Sequence, residues 1–180
     1  MLIPLGDVCV ELIAQHQEEI RRHTRLFMPE YDRFMVAHDK ILANKAAQAA
    51  GVPIPRCWYP DEAGLDAVLK SADFPVLVKP AMDVGARGII RADSPGQLQR
   101  AWSMHRHSAG RKFVQELIPL TGRQYVLDLL MDTQFRLVAA VASQKVRFFP
   151  VKAGAGTLSR SINRPDLCQA AAGLLRSIGY

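Results

Sequence analysis

The residues best placed to do chemistry lie in the run Phe74-Pro-Val-Leu-Val-Lys79-Pro-Ala-Met-Asp-Val-Gly85-Ala-Arg87-Gly88-Ile-Ile90. An apolar strand ends in a lysine, a loop with two glycines follows, and a second apolar strand closes the hairpin. Val76 and Val78 suit a buried strand, so Lys79 is expected to leave the sheet at its end, beside a loop whose backbone N–H groups can approach an anion. A lysine and an arginine aimed at one loop call for a negative partner. At 4 Å and an effective dielectric near 20, a lysine–phosphate pair gains about 4 kcal/mol of gross attraction. A surface hairpin with solvated charges is the competing reading of this segment alone.

Other reactive side chains make weaker cases. Cys9, Cys57 and Cys168 are far apart, odd in number and without metal-ligand spacing, so they read as reduced thiols of a cytoplasmic protein. His16, His23, His38, His105 and His107 form no HExxH-type pair and read as surface or capping residues. Asp128, inside an apolar run, reads equally well as a partner for a lid lysine or as an outward strand residue.

These groups are carried by an ordinary folding chain. Its 180 residues are 49% hydrophobic and 22% charged, enough for one domain or two small ones with a core that needs no disulfide or metal. The segment Met1-Leu-Ile-Pro-Leu-Gly-Asp7 lacks a basic n-region and does not read as a secretory leader, and no apolar run approaches membrane-spanning length. The net charge of +6 raises nucleic acid as a partner, with clusters at Arg21, Arg22 and Arg25 and from His105 to Lys112. Neither cluster has interleaved aromatics, and a positive field equally suits a polyphosphate ligand.

The elements that must position Lys79 follow from hydrophobic period and punctuation. Met1 to Leu5 and Leu26 to Met28 read as short strands around a helix capped by Asp7, the trailing part of a parallel-sheet domain. Asp39-Lys40 opens an alanine-rich helix stopped by Gly51, Pro53 and Pro55. Asp61 and the Ser94-Pro95 pair start further helices on either side of the Lys79 hairpin. Lys112 to Ile118, Arg123 to Met131 and Phe135 to Ala142 suggest a three-stranded meander, followed by a loop with Gly154 and Gly156 and a last helix from Pro165 to Gly179. The resulting expectation is an α/β (α+β) protein in three parts: 1–37, 38–112 and 113–180.

Four segments in this order resemble the ATP-grasp superfamily, in particular the carboxylate-amine ligases that include the carbamoyl phosphate synthase large chain and biotin carboxylase. They are the Asp39-Lys40 helix ending Gly-Val-Pro-Ile-Pro, the Pro-Val-Leu-Val-Lys79-Pro strand, the Gly85-Ala-Arg87-Gly88 loop, and Val114-Gln-Glu-Leu-Ile118-Pro with its following strands. The resemblance covers 39–180, with 38–112 as the small lid subdomain, 113–180 as the first part of the larger one, and 1–37 like the end of the preceding domain. It implies that Lys40 and Lys79 bind ATP phosphates while the Gly85, Arg87 and Gly88 loop closes over them. Gln115, Glu116, Leu117 and Ile118 would form the adenine hinge. Gln124 stands where relatives usually place a ribose-binding carboxylate, and an amide is the weaker acceptor. Lys145 and Arg147 fall where relatives place basic residues near the γ-phosphate and the carboxylate substrate.

The implied function is the ATP-binding domain of a ligase that joins a carboxylate to an amine or other nucleophile through an acyl phosphate. A non-catalytic nucleotide-binding regulatory module is the alternative, and a nucleic-acid-binding module a third. The implied partners are small molecules, with a homodimer left open. Magnesium is expected in a parent protein, yet no Glu-x-Asn occurs here and Asp166 is the only acid from 145 to 180. The chain is therefore expected to be a piece of a longer ligase, with catalysis by this piece alone left undecided.

Overall fold

The structure is a computed structural model and describes residues 1–82, 88–104, 110–119, 123–149 and 154–180. Three helices come first, α1 (Asp7–Gln15), α2 (Gln17–His23) and α3 (Tyr31–His38), and then α4 (Lys40–Ala49). Next come β1 (Cys57–Trp58), α5 (Pro60–Ala63), α6 (Leu65–Ser71), β2 (Val76–Pro80), β3 (Ile90–Ala92), α7 (Pro95–Met104) and β4 (Lys112–Glu116). The chain continues with β5 (Tyr125–Met131), β6 (Leu137–Phe149), β7 (Ala155–Ile162) and α8 (Pro165–Ile178).

The strands make two antiparallel sheets, one ordered β1-β4-β2-β3 and one ordered β5-β6-β7. Alternation along β2 and β4 gives the first sheet two distinct faces. Val76, Val78 and Val114 turn to one side and join Val68 of α6 and Leu98, Ala101 and Trp102 of α7 in the main core. Phe113 turns to the other and packs with Ala81 and with Ile41 of α4, flanked by Cys57 and Tyr59. Lys79 lies directly opposite Phe113, and Gln115 lies opposite both Leu77 and Cys57. Lys79 and Gln115 are therefore diagonal neighbours on the face that α4 covers.

The helix boundaries follow local chemistry. Asp39 caps α4, and Pro95 opens α7 with the Ser94 hydroxyl accepting from the Gln97 amide at 3.4 Å. Helix α8 opens on Pro165 and stops at Gly179, which is left-handed at φ 67°. There Arg33 of α3 donates to the Ile178 carbonyl at 2.8 Å, and a Cβ on Gly179 would come within 2.9 Å of the same guanidinium. Gly179→Ala is accordingly expected to lose about 1 kcal/mol, mostly from the left-handed backbone because the arginine can swing aside. Calorimetry should record a drop in Tm of roughly 2–4 °C; an unchanged Tm would mean that this helix end contributes nothing to cooperative unfolding.

Four sequence expectations are corrected. Met1 to Leu5 and Leu26 to Met28 are not strands: a single parallel bridge joins Leu2 to Leu26, and Met1, Ile3 and Leu5 are exposed. An apolar run needs a sheet to pair with and a face to bury against, and among the described residues these segments share one bridge. Asp7 does not cap α1; Gly6 occupies that position at φ 81°, and Asp7 is the first helical residue, where its charge still suits the helix dipole. The meander is β5-β6-β7 rather than one that includes β4, because β4 pairs with β1 and β2. The segment expected as a loop with Gly154 and Gly156 forms β7 from Ala155 onward, a strand exposed along nearly all its length and specified by pairing with β6.

Candidate functional site

The site begins at the first turn of α4. Asp39 is 1% exposed; its Oδ1 accepts from the amides of Ile41 (2.8 Å) and Leu42 (3.1 Å), and its Oδ2 accepts from Arg111 at 2.5 Å. The backbone N–H of Lys40 donates to the Ala81 carbonyl at 2.9 Å, and its ammonium reaches the same oxygen at 3.5 Å. Ala81 in turn donates to the Arg111 carbonyl at 2.8 Å. The helix start is thus pinned to the end of β2, two residues past Lys79, and its first three amides are already used within the chain. What α4 offers an anion is the Lys40 side chain rather than bare helix-end N–H groups.

Lys79 is half-buried beside it. Its Nζ donates to Gln115 Oε1 at 2.9 Å and lies 5.9 Å from the centre of the Phe113 ring. Burial first, and the Lys40 ammonium second, hold Lys79 below the ordinary lysine range. An anion near both ammonium groups would offset the repulsion that Lys40 exerts on Lys79.

The groups behind Lys79 are neutral. Gln115, 8% exposed, donates through Nε2 to Cys57 Sγ at 3.4 Å. Asn44 Nδ2 donates to the same sulfur at 3.5 Å, and the thiol donates to the Pro55 carbonyl at 3.2 Å. Burial pushes the Cys57 thiol up, so it is a protonated wall residue and a poor nucleophile. Burial likewise pushes the Tyr59 phenol up to about 12.

The hinge candidates continue along β4. Glu116 spends its amide on the Arg56 carbonyl (2.9 Å) and its carboxylate on the Arg56 amide (2.8 Å), while Leu117 donates to the Pro75 carbonyl at 3.3 Å. Ile118 is past the strand and 54% exposed. Gly88 is left-handed at φ 67°, whereas Gly85 and Arg87 lie outside the described residues. Lys145 and Arg147 stand on β6 in the second sheet. The Gln124 carbonyl accepts from the Lys145 amide at 2.9 Å, and Lys145 Nζ donates to the Gly154 carbonyl at 3.2 Å. The structure therefore joins Lys79 to Gln115 next to the Lys40 helix start, and joins Gln124 to Lys145 through a backbone hydrogen bond, with Arg147 two residues further along β6.

Asp39, Arg111, Asn44 and Phe113 are site-forming residues that sequence reasoning did not single out as such. The period-2 match of Phe113 and Gln115 to Leu77 and Lys79 was the available signal, but it needs the strand register. Among the described residues no group of three or more His, Cys, Asp or Glu side chains gathers to hold a metal ion. Likewise, no helix among the described residues is long and apolar enough to cross a membrane.

No protein-family model matches the chain. It is 27% identical over 108 residues to a D-alanine–D-alanine ligase of Azoarcus sp., a match spanning 59% of this chain and 35% of the ligase. Among solved structures, it is similar to biotin carboxylase from Campylobacter jejuni, solved as a beta-gamma-ATP complex. That match has a TM-score of 0.74 and 19% identity, over 97% of this chain and 42% of that one. The biotin carboxylase domain of Hydrogenobacter thermophilus 2-oxoglutarate carboxylase, solved with MgADP, ADP and bicarbonate, superposes with a TM-score of 0.71 at 18% identity, over 94% and 40%. The chain spans well under half the length of each of these relatives.

Proposed function

We propose that this chain, which has the ATP-grasp fold, grips the phosphates of ATP between Lys40 and Lys79 and supplies nucleotide-binding walls to an ATP-dependent ligase. The observation that carries the reading is that the Lys40 ammonium reaches the Ala81 carbonyl, two residues past Lys79, while Lys79 is bonded to the neutral amide of Gln115. A polyphosphate meets both charges at once, and ATP or MgADP is what the similar solved proteins hold.

Around that grip, the loop carrying Gly85, Arg87 and Gly88 covers the phosphates. The Glu116 carbonyl and Ile118 amide face the purine edge, beside Leu117, and Gln124 hydrogen-bonds a ribose hydroxyl. Lys145 and Arg147 stabilise the γ-phosphate and a substrate carboxylate. In the reaction a carboxylate oxygen attacks the γ-phosphorus and ADP leaves. An amine or other nucleophile then attacks the acyl carbon, and phosphate departs with the C–O bond electrons. The likeness to a D-alanine–D-alanine ligase supports the carboxylate-to-amine class.

The test is differential thermal protection. At a hundredfold excess over Kd, ATP should stabilise the protein by about 2.7 kcal/mol, raising Tm by roughly 5–10 °C, while adenosine at equal concentration does far less. Equal shifts with ATP and adenosine would remove the phosphate grip from the reading. ATP protection with no hydroxylamine-trappable acyl group from D-alanine would favour a nucleotide-binding module over an enzyme of the D-alanine class.

A further inference from the structure

Gln115 belongs to the segment read as an adenine hinge, which works through its backbone, yet its side chain is turned away from that task. Lys79 bears an ammonium with donors only, so the oxygen of the Gln115 amide must face it and the NH2 must face away. The structure has that arrangement, with Oε1 at 2.9 Å from Lys79 Nζ and Nε2 at 3.4 Å from Cys57 Sγ. The sulfur is itself fixed by Asn44 and by its own bond to Pro55. A buried amide is thus braced from behind and presents one acceptor to one cation.

We propose that Gln115 is a positioning residue whose side-chain carbonyl holds the Lys79 ammonium in place for phosphate. This goes beyond the backbone hinge and rests on the nucleotide reading above. Lys79 has four rotatable side-chain bonds, and ordering such a chain costs conformational entropy. A tether that meets this cost before the ligand arrives leaves more of the charge–phosphate attraction for binding. Because the acceptor is neutral, the ammonium keeps its charge for the ligand. The same hydrogen bond favours the protonated form against the forces that oppose it, which are burial and Lys40 on α4; Cys57 on β1 acts in the favourable direction.

Two variants separate positioning from mere packing. Gln115→Leu removes the acceptor and keeps the bulk, whereas Gln115→Glu keeps an acceptor and adds a charge. The first measurement needs no nucleotide: Lys79 is labelled with an amine-reactive reagent across pH and its modification followed by mass spectrometry. The midpoint should move down in Gln115→Leu and up in Gln115→Glu. Midpoints identical to that of the unmodified protein would overturn the proposal, whatever the nucleotide does. The second is calorimetric titration with ATP and with adenosine. Gln115→Leu should weaken ATP about tenfold, the lower range for a hydrogen bond to a charged group, leave adenosine unchanged, and shift the alkaline loss of ATP affinity to lower pH. An equal loss for adenosine would overturn the positioning role. If the unmodified protein binds no ATP while the Lys79 midpoints still move as stated, the tether stands and the proposed function falls.

Discussion

Lys79→Met is expected to weaken ATP binding by about two orders of magnitude and to leave adenosine binding unchanged. Methionine keeps the length and apolar stem of lysine and removes only the charge. The gross attraction of about 4 kcal/mol at 4 Å is reduced by the cost of drying the ammonium, and a loss of roughly 3 kcal/mol is about a hundredfold in affinity. Lys79→Arg should rescue only part of it, because a planar guanidinium cannot occupy the site of a compact ammonium held by one amide oxygen. The fold should tolerate the methionine. Lys79 is held below its ordinary range by burial and by Lys40, so between its folded midpoint and the ordinary lysine value the unfolded chain binds more protons and stability rises with pH. Below that window the charged lysine opposes folding, and Lys79→Met should be at least as stable as the unmodified protein. Thermal melts at neutral and alkaline pH, with calorimetric titrations alongside, check both halves. Undiminished ATP affinity in a folded Lys79→Met protein would remove Lys79 from the phosphate site.

The strand bearing Lys79 was legible in the sequence from its β-branched run, but its end was not: Lys79 does not leave the sheet, because β2 stays paired with β4 through Lys79 to Pro80. The start of α4 was legible for a similar reason: the Asp39-Lys40 pair stands just before an alanine-rich run, and the structure adds that the Asp39 carboxylate caps it by accepting from Ile41 and Leu42. The sequence places Gln115 only within the hinge segment, since nothing local says which way an amide side chain points. That depends on β4 pairing with β2 in a register that sets Gln115 opposite Leu77 and diagonal to Lys79. Strand β4 itself was grouped with the wrong neighbours, because chain order suggested a meander while its own inward residues, Phe113, Val114 and Gln115, are buried on both faces. The same limit hid β7. Its Ala-Gly-Thr-Leu-Ser-Arg-Ser-Ile sequence has little strand preference of its own, and only the long β6 beside it makes it a strand.

Asp39 links the stability of the fold to the position of the other lysine, and Asp39→Ala should damage both. The carboxylate holds two amides of α4 and the Arg111 guanidinium at once. Loss of the cap costs about 1–2 kcal/mol. Arg111 is half exposed and can turn to water, so its share is on the order of 1 kcal/mol, far below a fully buried pair. The sum, about 2–3 kcal/mol, predicts a fall in Tm of roughly 5–10 °C for a protein of this size. Asp39→Asn retains an oxygen for the cap and loses only the ion pair, so its fall should be less than half as large. The consequence for binding comes from geometry: Arg111, Ala81 and Lys40 are joined through successive hydrogen bonds, so freeing the helix start lets the Lys40 ammonium drift from Lys79. ATP affinity in Asp39→Ala should therefore drop several-fold at temperatures well below its Tm, with adenosine affinity preserved. Equal Tm values for the alanine and asparagine variants would assign the stability to the ion pair instead of the cap. ATP affinity undisturbed in a folded Asp39→Ala protein would mean that Lys40 is placed independently of the Asp39 cap.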